Sequence, residues 1–214
     1  IDKFSRMSNN RFMNDFSSNM SNNVNFSETK LQMAEALKRL IKDRPFSKIT
    51  VQDIVTECNI NRNTFYYHFE NNYDLLSFTY SLEVKNIVDS FQKANASLPQ
   101  AMDFVLDYID KNNPLCQCAY ESLGEKDLKN IFQKDIYNFV RATIDFYGNE
   151  NDIKFSEDLK SFVGYSYTEL LSTQIIWYIK HTSDLDKETF KDCLQTFFTV
   201  SLKSVLEEAV KKGL

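Results

Sequence analysis

The residues with the most chemistry to offer sit in one short string, Asn59-Ile60-Asn61-Arg62-Asn63-Thr64-Phe65-Tyr66-Tyr67-His68-Phe69. It combines amides, a guanidinium, hydroxyls and an imidazole, and it contains no acid. A guanidinium pairs bidentately with guanine, and an Asn or Gln amide does the same with adenine, so these are groups that read base edges. Hydroxyl and imidazole donors suit phosphate oxygens, which fix register without reading sequence. Little else in the chain could catalyse. There are two His, no Gly-rich phosphate loop and no His-Glu-x-x-His string, which argues against a helical enzyme carrying an accessory DNA-binding unit. Cys116-x-Cys118 could suggest a metal or thiol sensor, but residues two apart on a helix point in different directions and no nearby His completes a tetrahedral set. No metal and no cofactor is expected.

The string needs elements to hold it. Behind Ser27, Leu31, Ala34, Leu37, Leu40 and Ile41 recur at helical spacing, which predicts a first helix ending before Pro45. Thr50-Val51-Gln52-Asp53 places a Thr cap three residues before an acid, and Val51, Ile54 and Val55 supply the apolar face of a short second helix that stops near Asn59. Asn tolerates the left-handed backbone of a tight turn better than other non-glycine residues. Asn61 then caps a third helix running through Phe69, with Phe65 and Phe69 on its core face. Two short helices across a tight turn, inside a unit of three, are the outline of a helix-turn-helix, whose second helix presents its N-terminal residues to the major groove. Arg62 is the leading candidate for base readout, with Asn61, Asn63, Gln52 and Tyr67 beside it.

Ile54-Val55, Cys58 through Phe69 and Asp74-Leu75-Leu76 together resemble the TetR family of bacterial transcriptional repressors. That family's DNA-binding segment runs through a Thr-Val-x-x-Ile second helix to a Gly-Val-Ser-x-x-Thr-Leu-Tyr-x-x-Phe recognition helix. The resemblance covers residues 28–76 and implies phosphate contacts at Thr50, Thr64, Tyr66 and His68. Two positions depart from the pattern. Asn59 replaces the turn Gly, and Asn72 stands where the family often has a Lys on the DNA backbone, leaving that contact to Lys48 or Arg44. Fewer phosphate contacts release fewer counterions, so a shallower salt dependence is expected.

The remaining chain reads as helices over 73–93, 99–111, 114–123, 125–147, 155–181 and 186–212, giving an all-α protein. Its expected parts are residues 1–27 as a tail or cloning remnant, 28–76 as the DNA-binding domain and 77–214 as a helical effector-binding and dimerisation domain. Four Gly and three Pro in 214 residues leave little punctuation for a many-stranded fold. Seven Asn and six Ser in residues 1–27 cannot bury enough apolar area to offset ordering. The net charge of −5 is uneven: residues 28–72 hold 7 basic and 6 acidic side chains, and residues 73–214 hold 15 and 22. A phosphate-binding face therefore belongs in the first third. The lack of a long apolar run and the reduced-looking cysteines point to a cytoplasmic protein with no membrane partner.

Aromatics are dense in the second part, and the family resemblance implies a pocket there for a small-molecule effector. Tyr108, Tyr120, Tyr137, Tyr165 and Trp177, each apolar with a polar tip, are the pocket candidates, and the acidic balance favours a neutral or cationic ligand. The last two helices carry more apolar surface than one bundle needs. Phe162, Leu170, Phe197 and Val205 are the candidate contacts of a homodimer that would set two recognition helices against two half-sites of a double-stranded operator. The function expected is a ligand-responsive repressor released from its operator by its effector. The alternatives are a DNA-bound adaptor with no effector and, more remotely, a metal- or thiol-sensing regulator.

Overall fold

The computed structural model describes residues 27–94, 98–182, 184 and 186–214. Apart from Ser27, the expected tail lies outside the described residues. These residues form eight α-helices and one short 3-10 turn, with no strand among them.

Helix α1 (Glu28–Asp43) opens on the Ser27 cap, whose hydroxyl accepts the Lys30 amide at 3.3 Å, and it buries Met33, Ala34, Ala36, Leu37, Leu40 and Ile41 along one face. Pro45 forbids its continuation. The chain turns through Phe46–Lys48 into α2 (Val51–Glu57), and then across Asn59 into α3 (Arg62–His68). Asn59 takes φ +55°, the left-handed conformation that the turn requires. Phe65 and Phe69 point inward from α3 and its end, and Ile54 and Val55 meet them from α2, so the two short helices share one core with α1.

Helix α4 (Asn72–Ala94) runs straight through the division expected at residues 76 and 77. Its first turns are fastened to the three-helix unit. The Asn72 amide donates to the Ile49 carbonyl at 2.6 Å, Tyr73 meets Phe46 edge-on, and Phe78 packs against Phe69. Its later turns line the interior of the second unit. One rigid rod thus belongs to both.

Beyond it come α5 (Leu98–Lys111), α6 (Asn113–Glu150), α7 (Glu157–His181) and α8 (Lys187–Lys212). The sequence predicts two helices over 114–147. The structure joins them at a bend on Gly124, where φ is +81° and ψ is 163°, a conformation open to glycine. Gly164 serves a different end. A Cβ there would stand 2.8 Å from the Tyr137 ring, so its absence lets α7 lie close along α6. Ser156 caps α7 and Asp186 caps α8, one residue or more before the first helical turn, which places the helix starts at 157 and 187. Helices α7 and α8 run antiparallel: the Tyr167 hydroxyl donates to Ser201 at 2.8 Å, and Tyr178 stacks on Phe190 at the opposite end. Among the described residues no helix is long and apolar enough to cross a membrane.

Candidate nucleic-acid interface and inner cavity

Local chemistry fixes the geometry of the exposed face. The Thr50 hydroxyl accepts the Asp53 amide and donates to the Asp53 carboxylate at 2.6 Å, while that carboxylate also accepts the Thr50 amide at 2.8 Å. These bonds from Thr50 hold the Asp53 carboxyl below its ordinary pKa, with Arg44 at 3.1 Å adding to the effect. Arg44 is therefore engaged with an acid, whereas Lys48 stands exposed at the end of the 3-10 turn. The Asn61 side-chain oxygen accepts from the Thr64 amide at 2.9 Å and from its hydroxyl at 3.2 Å, so Asn61 is spent on starting α3.

With Phe65 fully buried, the opposite side of α3 is turned outward by the helical period. Arg62, Asn63, Tyr66 and Tyr67 are all exposed, and Tyr67 is 84% accessible. Arg62 and Tyr66 lie one turn apart and are paired: the guanidinium donates to the Tyr66 hydroxyl at 3.2 Å and sits 5.9 Å from the ring centroid. This i, i+4 pair went unread in the sequence, although its spacing was visible there. Gln52 is exposed on α2, with its amide donating to Thr56 at 3.2 Å. His68 is half-buried, its ring edge-on to Tyr67 at 4.9 Å. Arg62, Asn63, Tyr66 and Tyr67 thus share the outward side of α3, with Thr64 and His68 half-buried on the same helix and Gln52, Lys48 and Thr50 exposed on the elements before it.

The second feature is a cavity of about 100 Å³ among α4, α5, α6, α7 and α8. Its walls are mostly apolar, including Val84, Ile87, Met102, Phe132, Phe139 and Leu171, with Tyr80, Glu83, Tyr108 and Asp135 as the polar groups. Of the five aromatics proposed from sequence, Tyr108 lines it. Tyr120 is half-buried against the core away from it. Tyr137 and Tyr165 pack on each other at 4.5 Å outside it, beside Arg141, and Trp177 stacks on Phe190 in an outer cleft between α7 and α8. Helix phase explains the placement. Leu171 and Ile175 face the cavity, and Tyr165 and Trp177 fall well round the helix from them. Sequence reasoning missed Glu83, although the signal was present: it interrupts the stripe Leu76, Tyr80, Glu83, Ile87, whose spacing is that of a buried face.

Cys116 and Cys118 are buried thiols. Burial pushes the Cys116 thiol up to about 12 and the Cys118 thiol up to about 11, which leaves them inert at neutral pH. Among the described residues no group of three or more His, Cys, Asp or Glu is placed to hold a metal.

Residues 34–77, spanning most of α1 through the start of α4, match the model of bacterial regulatory proteins of the tetR family. These residues carry the DNA-binding segment of that family. A curated relative is the HTH-type dhaKLM operon transcriptional activator DhaS of Lactococcus lactis subsp. lactis strain IL1403, 24% identical over 131 residues, which are 61% of this chain and 68% of that one. Among solved structures, the dihydroxyacetone kinase operon activator DhaS aligns with a TM-score of 0.63 at 20% identity, covering 83% of this chain and 96% of the other. The tetR-family repressor AlkX of Dietzia sp. strain DQ12-45-1b aligns at 0.62 and 12% identity over 86% and 100%. FadR of Bacillus subtilis, solved with stearoyl-CoA, aligns at 0.54 and 14% identity over 83% and 95%. At these identities the structures establish a shared fold. The match over residues 34–77 supports a DNA-binding regulator of transcription.

Proposed function

We propose that this regulator works as a homodimer that binds a double-stranded operator through α3 and responds to a small molecule held in the inner cavity. The outward face of α3 carries the reading. A guanidinium, an amide and a phenol stand exposed on a helix whose opposite face is locked by Phe65. Arg62 reads guanine, Asn63 and Gln52 read adenine, and Tyr67 reaches the groove floor. Lys48, Thr50, Thr64, Tyr66 and His68 meet phosphates, and Asn61 contributes by setting the helix start. Tyr66 has a second duty, because its bond to Arg62 holds the guanidinium before DNA arrives.

Dimerisation is supported by the outer face of α7 and α8. Phe162, Leu170, Phe197 and Val205 are exposed there, in company with Val200, and an apolar surface of that kind favours a partner of like surface. The division into residues 28–76 and 77–214 is retained as functional shorthand, with α4 as the shared element. Release from the operator on effector binding, hence repression, follows if the occupied cavity favours the arrangement that does not fit DNA. The likeness to DhaS, described as an activator, favours a second reading in which the occupied form binds DNA and activates.

The test is a band-shift titration of duplexes flanking the gene at two salt concentrations. Arg62→Ala is expected to flatten the preference among duplexes, and Tyr66→Phe to weaken all of them and to reduce the preference in part, because it also frees the Arg62 guanidinium. Phe162→Glu with Phe197→Glu is expected to give a monomer by sedimentation and to lose cooperative operator binding. A folded Arg62→Ala that keeps full preference would overturn the base-readout assignment.

A further inference from the structure

The cavity is electrically one-sided. Two carboxylates, Glu83 and Asp135, are among its lining residues, and no Lys, Arg or His is among them. Glu83 is 3% exposed, at the end of the cavity nearest α1. Its Oε2 accepts the Tyr108 hydroxyl at 2.5 Å, and its Oε1 meets the Lys38 ammonium at 2.8 Å. Lys38 belongs to α1, so the polar end of the cavity is joined by one ion pair to the DNA-binding unit. That ammonium has a second partner, Glu35, one turn back on its own helix at 2.9 Å. Burial alone would lower the Lys38 pKa, but the two carboxylates outweigh it and raise it, so the Lys38 ammonium is charged at neutral pH.

This arrangement permits an exchange that leaves no buried charge alone. A carboxylate offers about four acceptor sites, and Glu83 uses two for side-chain bonds. A cation entering the cavity can take Glu83, while Lys38, its side chain 22% exposed, keeps Glu35 and gains water. A neutral head brings no charge to replace the ammonium, and an anion would meet two carboxylates with no cation within the cavity. For scale, a dry cavity of about 150 Å³ takes benzene, which sets a body of about six carbons as the upper size for the one here.

Resting on the effector reading above, we propose that the cavity binds a small organic cation, an ammonium or amidinium head on an apolar body, and that the head takes Glu83 from Lys38. Opening that pair unfastens α1 from α4, the rod common to both units, and this carries occupancy to the DNA-binding face. Lys38 and the ligand therefore compete for one carboxylate.

Competition gives the experiment. Hexylamine, hexanol and hexanoate are titrated calorimetrically into the full chain and into Glu83→Gln, Asp135→Asn and Lys38→Met, with thermal melts beside each. Hexylamine is expected to bind wild type best and hexanoate least. Glu83→Gln is expected to erase the preference for the amine, and Asp135→Asn to leave most of it. Lys38→Met leaves Glu83 uncompensated, so it lowers the melting temperature, and hexylamine should restore it and bind about ten-fold more tightly than to wild type. Hexanoate binding as well as hexylamine, or an amine preference that survives Glu83→Gln, overturns the cationic head while leaving an effector cavity in place. No binding of any probe to wild type, Asp135→Asn or Lys38→Met overturns the proposal and the effector reading of this cavity together.

Discussion

The recognition unit and the cavity unit solve opposite problems with the same helical material. In residues 28–76, α2 and α3 span seven residues each, the starts of α1, α2 and α3 are each fixed by a side chain within three residues, and the interior is filled by Phe65, Phe69, Ile54 and Leu37. The proposed reading face lies outside, on α3. In the second unit the helices span 14 to 38 residues, and a void remains at the centre with the Lys38–Glu83 ion pair at its wall. On the proposed function, a surface that fits a rigid duplex is served by a dense support, whereas a site that changes on occupancy needs room and an exchangeable partner, as Lys38 has in Glu83 and Glu35.

The contrast is open to attack by mutation. The largest effect should come from Phe65→Ala, which removes a wholly buried ring from the dense unit and is expected to cost about 3–5 kcal/mol in denaturant unfolding. Ile109→Ala, equally buried but facing the void, already lacks neighbours on one side and should cost about 2 kcal/mol, at the low end for such truncations. Equal losses at the two sites would erase the distinction between packed and hollow units. Arg62→Ala should leave unfolding unchanged and reduce operator discrimination by about 1–3 kcal/mol, read as the affinity ratio between matched and mismatched duplexes.

Smaller effects probe the local devices. Thr50→Ala removes the α2 cap and should lower stability by about 1 kcal/mol at neutral pH. The Asp53 carboxyl has its pKa depressed in the fold, so its contribution is full above the ordinary carboxylate value and is lost as pH falls through the folded-state value. Acid titration of unfolding should therefore show a shallower loss in Thr50→Ala than in wild type, because the largest cause of the depression is gone. The smallest change expected is a gain of a few tenths to about 1 kcal/mol for Asn59→Gly, since glycine occupies the left-handed turn without a Cβ penalty. A loss at that position, measured by thermal melt, would mean that the Asn side chain does more than permit the turn.

The legible parts of the molecule were those written in short range. The turn at Asn59, the Thr50 and Asp53 box, the Asn61 cap and the inward Phe65 each follow from a few neighbouring residues, and the structure has each. The break at Gly124 was equally local. The cavity was not. Tyr137, Tyr165 and Trp177 look like pocket residues by type, but a helix has several faces, and which one turns inward depends on how α6, α7 and α8 cross. Glu83 was the converse case, a charged residue at an apolar position whose meaning appears only when Lys38, 45 residues earlier, is brought against it.

By itself, then, the sequence determined an all-helical chain, a helix-turn-helix near its start and the side chains that its third helix shows to solvent, because caps, turns and the 3.6-residue period act within a few residues of one another. The tertiary structure alone decided where the void lies, which aromatics line it and which lysine reaches its carboxylate. Those are properties of helix crossings, set by the mutual packing of distant segments such as Gly164 against Tyr137, and no short window of sequence contains them.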